Sequence, residues 1–384
     1  MLKTNRLPLF FTATSLFWFA LYAYMPYVAP YAEEMQADMR LIGLIAGSYG
    51  FTQMIIRFPL GIFSDRLRKR KVFIMAGLFF AAVSGAVVFV FPSPIALLAA
   101  RSLAGVAASS WVIFTILGAA YNGPNDTVKT IGLLNACNSF GRMIALLLGG
   151  IIAERMGFSH AFLLSAIAGF AGLIISMGIV EKKPETKEPP TLAALLEVAK
   201  NSQLLCASIL AVLVQYISFA TTFGFVPLVA TELNATNFQL GMLGVIATLP
   251  GLIISPFAGK LVKKLGIQLS LTISFTLMVI ACLAMPVCQA VWQLFALQIL
   301  NNIGMTAAFT ILMGLCIQNI LPERRAAAMG FFQAVYGLGM FLGPFIMGWV
   351  SHSFGLASAF VLTGGIGILG VIASVVFVKK GYLA

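Results

Sequence analysis

Twelve long apolar stretches limit what this chain can fold into. A helix needs about 20 apolar residues to cross the hydrocarbon core of a bilayer. The stretches of that length are 7–30, 41–63, 72–91, 95–118, 130–152, 160–180, 203–230, 238–259, 268–288, 291–317, 327–350 and 354–378. Because backbone polar groups in lipid must be paired within one segment, each stretch is predicted to be helical. The predicted fold class is therefore an all-α membrane protein with twelve transmembrane helices.

The composition supports a membrane protein and excludes a soluble one. The chain is 60% hydrophobic and 9% charged, whereas a soluble domain has about 25% charged residues. The net charge of +12 does not indicate a nucleic-acid partner, because the basic residues lie in short loops between apolar stretches. The five cysteines lie in or near apolar stretches, and their spacing suits neither a metal site nor a redox pair.

The loop charges predict how the chain is oriented. With the N-terminus inside, 19 of the 24 Lys and Arg residues lie on the cytoplasmic side, two lie outside and three lie within the membrane. Basic residues concentrate in cytoplasmic loops, so both chain ends are predicted to be cytoplasmic. No cleavable signal peptide is evident, and the expected location is the cytoplasmic membrane of a prokaryote, crossed many times.

The sequence divides into two related halves. The polar segment 181–200 contains three prolines and mixed charges, which is typical of a linker. It separates the predicted six-helix bundles 1–180 and 201–384. An offset of 198 residues carries Gly61 onto Gly259, Gly141 onto Gly339 and Gly157 onto Gly355. Parallel repeats of this kind place a substrate site near the bilayer midplane, between the halves.

A dense basic turn follows the second apolar stretch. The segment GIFSDRLRKRK begins at Gly61 and contains Asp65 and five basic residues. Its residues Gly61, Asp65, Arg66, Arg70 and Lys71 resemble the loop motif between helices 2 and 3 of the major facilitator superfamily, with Arg68 where that family usually has glycine.

Two further motifs extend this resemblance over the whole chain. Arg101 and Gly105 in RSLAG look like the family's Arg-x-x-x-Gly motif in helix 4. Helix 11 contains GLGMFLGPFIMG, an intact form of the Gly-Pro motif associated with antiporters, while helix 5 has Ala145–Leu146 in its place. The resemblance implies two pseudo-symmetric six-helix bundles that rock around a central site.

The basic turn is interpreted as part of a gate. The corresponding segment in the second half, GKLVKKLG from Gly259, keeps the glycine and positive charge but has Lys263 in place of Asp65. Asp65 is therefore predicted to contact the positive N-terminal end of a helix in the other half, with helix 11 as the candidate. Arg57 either extends to the cytoplasmic interface or belongs to this gate.

Three arginines lie inside predicted membrane helices. A charge there costs at least about 3 kcal/mol, so it normally faces a cavity or a partner. Arg142 shares a helical face with Asn135 and Asn138 and either contacts a substrate anion or bonds to helix-end carbonyls or serines. Arg101 either takes the coupling role that the resemblance implies or bonds to the backbone of helix 1.

The acidic residues indicate the charge of the substrate. None of the twelve acids lies in the middle of a predicted helix. Three arginines without a buried acid would create a positive cavity, which favours an anionic or acid-bearing solute. The remaining candidates for cavity-lining polar residues, each with interhelical hydrogen bonding as the alternative, are Tyr22, Gln215, Tyr216, Asn301, Asn302, Gln333 and Tyr336.

These patterns predict a secondary active transporter working by alternating access, with a small organic anion or acid-bearing metabolite as substrate. The alternative is a drug or metabolite exporter of the drug-proton antiport kind. A non-transporting receptor or scaffold is a third, less favoured class. No enzyme motif or P-loop is present, and no cofactor or metal is expected. Predicted partners are the solute, the bilayer and a coupling proton or counter-anion, with the protein as a monomer.

Overall fold

The computed structural model describes residues 7–67, 69–122, 127–181, 197–254, 257–321 and 324–383. Those residues form twelve helical spans long and apolar enough to cross a membrane and contain no strand. We number the spans α1 to α12: Leu7–Tyr22 continuing through Met25–Tyr27 to Val28–Glu34, Met39–Leu67, Arg70–Val90, Pro94–Ser109 with Trp111–Asn122, Thr127–Met156, Phe158–Met177, Ser202–Ala220 continuing through Thr221–Phe225 to Val226–Glu232, Asn237–Ile254, Ala258–Ala284, Val291–Gln318, Arg325–Phe354 and Leu356–Lys379.

The first span of each half, α1 or α7, is not the unbroken helix that its apolar stretch predicted. In α1 a 3₁₀ turn at Met25–Tyr27 contains Pro26. In α7 a π-helical segment, Thr221–Phe225, precedes Pro227. Proline has no N–H and clashes with the preceding turn, which favours a kink or break in the helix at these two places. Each break follows the long helix of the first span in its half. The spans α1 and α7 are therefore interrupted at corresponding places.

The repeat found in the sequence recurs in the backbone. Gly157 and Gly355, 198 positions apart, have φ angles of 87° and 84° just before α6 and α12. Gln36 and Asn234, separated by the same offset, have φ angles of 63° and 58° after the first span of each half. Left-handed conformations are rare for residues other than glycine, so this recurrence confirms two pseudo-symmetric six-helix bundles. The boundaries proposed for them stay predictions, and residues 182–196 of the linker lie outside the described residues.

The two halves meet tightly along α2 and α11. A Cβ atom on Gly43 would lie 2.4 Å from the Pro344 carbonyl oxygen, and one on Gly47 would lie 2.8 Å from that of Phe341. Farther along both helices, on the side of the basic turn, Arg57 Nη1 donates to Tyr336 Oη at 3.1 Å. Arg57 thus contacts the opposite half, as the gate interpretation requires.

A second contact between the halves joins α5 to α8. Asn237 Nδ2 donates to the Ala153 carbonyl at 3.0 Å, and the Phe238 amide donates to Glu154 Oε2 at 3.0 Å. We call this end of the bundle, which includes the α1–α2 and α7–α8 loops, the closed end. The predicted orientation places it outside the cell.

Toward the opposite end, two positions on α2 and α5 lack such contacts. A Cβ atom on Gly61 in α2 or on Gly132 in α5 would meet nothing within 4 Å, although both spans pack against the other half nearer the closed end. Both positions thus face open space, and we call this end the open end. The predicted orientation makes the open end cytoplasmic.

The basic turn lies at the open end, and its described contacts stay within the first half. The Arg70 amide donates to Glu181 Oε1, and Lys71 Nζ donates to the Met177 carbonyl at 2.5 Å. The side chains of Asp65 and Arg66 lie outside the described residues, so the Asp65 contact stays a prediction.

The close approach of α2 to α11 predicts the effect of one added methyl group. Gly43→Ala should lower the melting temperature of the purified protein, because overpacking a tight contact typically costs about 1–3 kcal/mol. The matched control is Gly314→Ala in α10, where a Cβ would meet nothing within 4 Å. Equal melting temperatures for the two variants would show that the α2–α11 contact is not tight in the purified protein.

Candidate functional site

Arg142 projects from α5 onto an aromatic ring of α1. Its Cζ lies 4.2 Å from the ring centroid of Tyr22, within the range of a cation–π contact. The side chain is half-buried, and its Nε is buried without a hydrogen-bond partner among the described residues. The predicted alternative, bonds to helix-end carbonyls or serines, is not seen there. Arg142 thus keeps unused donors beside an aromatic face.

Arg101 has the same kind of partner on α2. Its Cζ lies 4.6 Å from the ring centroid of Tyr49, and the residue is only 2% exposed. The motif glycine explains the geometry, because a Cβ on Gly105 would lie 2.3 Å from the Tyr49 carbonyl oxygen. Gly105 therefore lets α4 approach α2 closely enough for Arg101 to cover the ring. No bond to the backbone of α1 is seen among the described residues.

Two phenylalanines of α7 connect these tyrosines. Tyr49 stacks on Phe219 with ring centroids 6.1 Å apart, and Phe219 contacts Phe223 at 5.0 Å. Phe223 meets Tyr22 edge-on at 6.4 Å. We call these four rings the aromatic arc. Its ends carry Arg101 and Arg142, both from the first half, and its middle comes from the second half. Phe223 lies in the π-helical segment, a distortion frequent at functional sites.

A small cavity lies between the halves beside the arc, with room for about one or two water molecules. Tyr22 and Phe223 form part of its wall, and the polar side chains of Thr222 and Gln298 reach it. The rest of the lining is mostly apolar: Met25, Pro26, Leu146, Val226, Pro227, Leu240, Leu243, Gly244 and Thr248. The cavity lies on the closed-end side of the midplane, where α1 and α7 are broken.

Hydrogen bonds between α7 and α10 hold the polar wall of the cavity. Asn301 Nδ2 donates to the hydroxyl oxygens of Thr221 and Thr222, at 3.2 Å each. Thr222 in turn donates to Gln298 Oε1 at 3.1 Å, and Asn302 Nδ2 donates to the Gln298 carbonyl at 2.8 Å. Asn301 and Asn302 are almost completely buried. They fix Thr222 and Gln298, which face the cavity directly.

The other predicted site residues are spread over the bundle. Asn135 is exposed and Asn138 half-buried, and Asn138 Oδ1 is a buried atom without a described partner. On α7, Gln215 Oε1 is likewise buried without a partner, whereas the buried Tyr216 lies beside Thr363 of α12. On α11, Gln333 is half-buried, whereas Tyr336 accepts the bond from Arg57.

The three arginines of the membrane spans, Arg57, Arg101 and Arg142, all belong to the first half of the chain. None of the three has a carboxylate within ion-pair distance among the side chains that the structure describes. Aromatic faces attract cations but only partly replace a counter-ion, so positive potential remains at the centre of the bundle.

Sequence reasoning did not find Tyr49, Phe219, Phe223, Thr222 or Gln298. The phenylalanines have no distinguishing signal, because the chain contains 32 of them and aromatic residues are ordinary in membrane helices. Gln298 was detectable, since a glutamine within an apolar stretch is as unusual as Asn301 and Asn302. Pro227, five residues after Thr222, also marked a helix break.

Comparison with known proteins decides the family. The family model described as Major Facilitator Superfamily matches residues 10–223 and 208–382. The chain belongs to this superfamily. An uncharacterized MFS-type transporter of Methanocaldococcus jannaschii is 25% identical over 346 residues, with 87% of this chain and 88% of the relative covered. Multidrug resistance protein MdtG of Proteus mirabilis is 24% identical over 363 residues, with 91% and 90% covered.

A solved structure agrees with the fold. A bacterial homolog of the human lysosomal transporter Spinster, in an inward-facing and unoccupied conformation, has a TM-score of 0.77 at 15% identity, covering 100% of this chain and 97% of that chain. The protein is thus a major facilitator superfamily transporter, a multi-pass membrane protein for a small-molecule substrate, and not an enzyme.

The aromatic arc predicts how Tyr49 substitutions affect stability. Tyr49→Phe keeps the ring beneath Arg101 and should leave the melting temperature nearly unchanged. Tyr49→Leu removes the ring and should destabilise the protein by about 2 kcal/mol, the value of a desolvated cation–π contact. Thermal unfolding in detergent measures both, and equal losses for the two variants would show that the hydroxyl, and not the ring, matters.

Proposed function

We propose that this transporter moves a small organic anion or acid-bearing metabolite by alternating access. The observation that carries the proposal is Arg142, a half-buried guanidinium near the midplane with a buried, unpartnered Nε and no described carboxylate partner. Guanidinium presents donors in a planar fork that matches carboxylate and phosphate groups. A substrate anion would supply the hydrogen bonds and counter-charge that the described residues leave out.

The two arginines would have different roles. Arg142 is open enough to touch a solute in this conformation. Arg101 is sealed beneath its ring with 2% exposure, so we assign it to holding α4 on α2 and to keeping the cavity positive. Asn138, one turn before Arg142 on α5, and Gln298 across the cavity are the proposed polar partners of the solute.

The closed and open ends indicate which side of the membrane the proposed site faces in this conformation. With the closed end outside, the present conformation would receive a solute from the cytoplasm or release one into it. The solved neighbour described as inward-facing supports this assignment. Transport would then require the α2–α11 and α5–α8 contacts at the closed end to separate while the open end closes, as in rocking of two bundles.

Among the side chains that the structure describes, no carboxylate lies beside the three arginines to exchange protons with a cationic solute. Coupling would therefore come from protonation of the substrate itself, from exchange for a second anion, or from simple facilitated movement. Each of these fits a positive cavity, because an acid-bearing solute carries its own titratable group.

A second candidate is export of drugs or other amphipathic compounds. MdtG of Proteus mirabilis, named as a multidrug resistance protein, matches over 91% of the chain, and α11 retains the Gly343–Pro344 motif associated with antiporters. The mostly apolar cavity wall fits such compounds. A drug-susceptibility panel in an exporter-deficient host tests this function, which predicts raised resistance to several unrelated compounds.

Substitution of Arg142 tests the anion proposal. In liposomes, Arg142→Ala should abolish anion uptake or exchange, while Arg142→Lys should keep part of it, because lysine retains the charge but not the fork. Arg155→Ala, which removes an arginine at the exposed closed-end terminus of α5, is the matched control. Normal anion transport by folded Arg142→Ala would rule out the assignment.

A further inference from the structure

A cluster of four side chains joins the halves at the closed end. Arg40 Nη2, at the start of α2, lies 2.7 Å from His352 Nε2, at the end of α11. Asp38 Oδ2 lies 3.5 Å from Arg40 Nε and 3.9 Å from His352 Nδ1. The Arg40 guanidinium also lies 5.0 Å from the ring centroid of Trp349 in α11. We call these four residues the closed-end cluster.

The contact with Arg40 fixes where the histidine carries its proton. Arginine has five N–H donors, no acceptor, and remains charged at all relevant pH values. At 2.7 Å, Nε2 of His352 must therefore accept the hydrogen bond with its lone pair. The ring is then neutral, with its hydrogen on Nδ1, the nitrogen that faces Asp38.

A second proton would break this contact. It would occupy the lone pair on Nε2 and place an imidazolium N–H against the N–H of a guanidinium. The attraction between imidazolium and Asp38 acts over 3.9 Å, whereas the repulsion from Arg40 acts over 2.7 Å. Because Coulomb energy falls with distance and Asp38 already faces Arg40, the repulsion dominates.

The site is accessible, and the other acids nearby, Glu33 and Glu34 of α1 and Glu232 of α7, have no described contact with His352. The side chains of Arg40 and His352 are 41% and 37% exposed, so protons reach the ring from the solution at this end. Of the elements packed against α11, the segment that starts α2 contributes Asp38 and Arg40. The neighbouring α12 has no titratable residue before Lys379, and α7 and its Pro227 segment have none near this end but Glu232.

We propose that His352 is a proton-binding site that couples acidity on the closed-end side to opening of that end. Histidine normally changes charge between about pH 5 and 8. Above that window the neutral ring joins α11 to α2 through Arg40. Within it, protonation separates the halves and favours the opposite conformation. The proposal rests on alternating access and is independent of the substrate, so it stands even if the anion assignment fails.

Distance measurements across the closed end test the proposal. Nitroxides attached to a keto amino acid at Glu34 and Gln289, exposed positions in opposite halves, avoid the native cysteines. In liposomes, lowering the pH from 8 to 5 should raise the ratio of long to short distances about tenfold, the change expected for one hydrogen bond to a charged group. In His352→Gln, which accepts from Arg40 but does not titrate, this ratio should stay constant.

The other histidine of the chain is the matched control. His160 begins α6, and its described contacts are with Phe89 and Ser159 of its own half, so His160→Gln should keep the acid response. His352→Asn repeats the test if His352→Gln fails to fold. An acid response retained in the folded His352 variant, or absent from the unaltered protein, would overturn the proposal.

Discussion

The positive charge at the centre of the bundle governs the rest of the arrangement. Three arginines lie in membrane spans, and none has a carboxylate partner among the described side chains. Low dielectric makes an uncompensated charge expensive, and the protein meets part of this cost with aromatic faces. Tyr49 and Tyr22 each lie under one guanidinium. In the proposed function, the charge that the rings leave uncompensated is available to an anionic solute, so Arg101 would stabilise the fold and Arg142 would attract the substrate.

The arc also links this charge to conformational change. Its outer rings belong to the first half and its inner rings, Phe219 and Phe223, to the second. Rocking of the bundles must therefore alter the ring contacts at both ends. The π-helical segment at Thr221–Phe225 and the break at Met25–Tyr27 place the deformable parts of α7 and α1 at the cavity. In the proposed transport cycle, substrate contact and closure of the halves would thus depend on the same short segments.

Much of the fold could be predicted because membrane spans have a strong local signal. Twelve apolar stretches, the offset of 198 and the motif around Arg101 identified the architecture and family without a structure. The site was less accessible, since it depends on residues distant in sequence. Nothing local distinguishes Phe223 from other phenylalanines, and Arg40 and His352 are separated by 312 positions. Sequence therefore locates the unusual charges, whereas only the packing reveals which faces and donors surround them.

A ligand-stabilisation screen of the purified protein tests the central claim most directly. The melting temperature would be measured with matched small anions, cations and neutral solutes at constant ionic strength. An uncompensated positive cavity predicts that particular carboxylates or phosphates raise the melting temperature, that their neutral amide or alcohol analogues do not, and that the effect is lost in Arg142→Ala. Stabilisation by cations, with no response to any anion, would contradict the account.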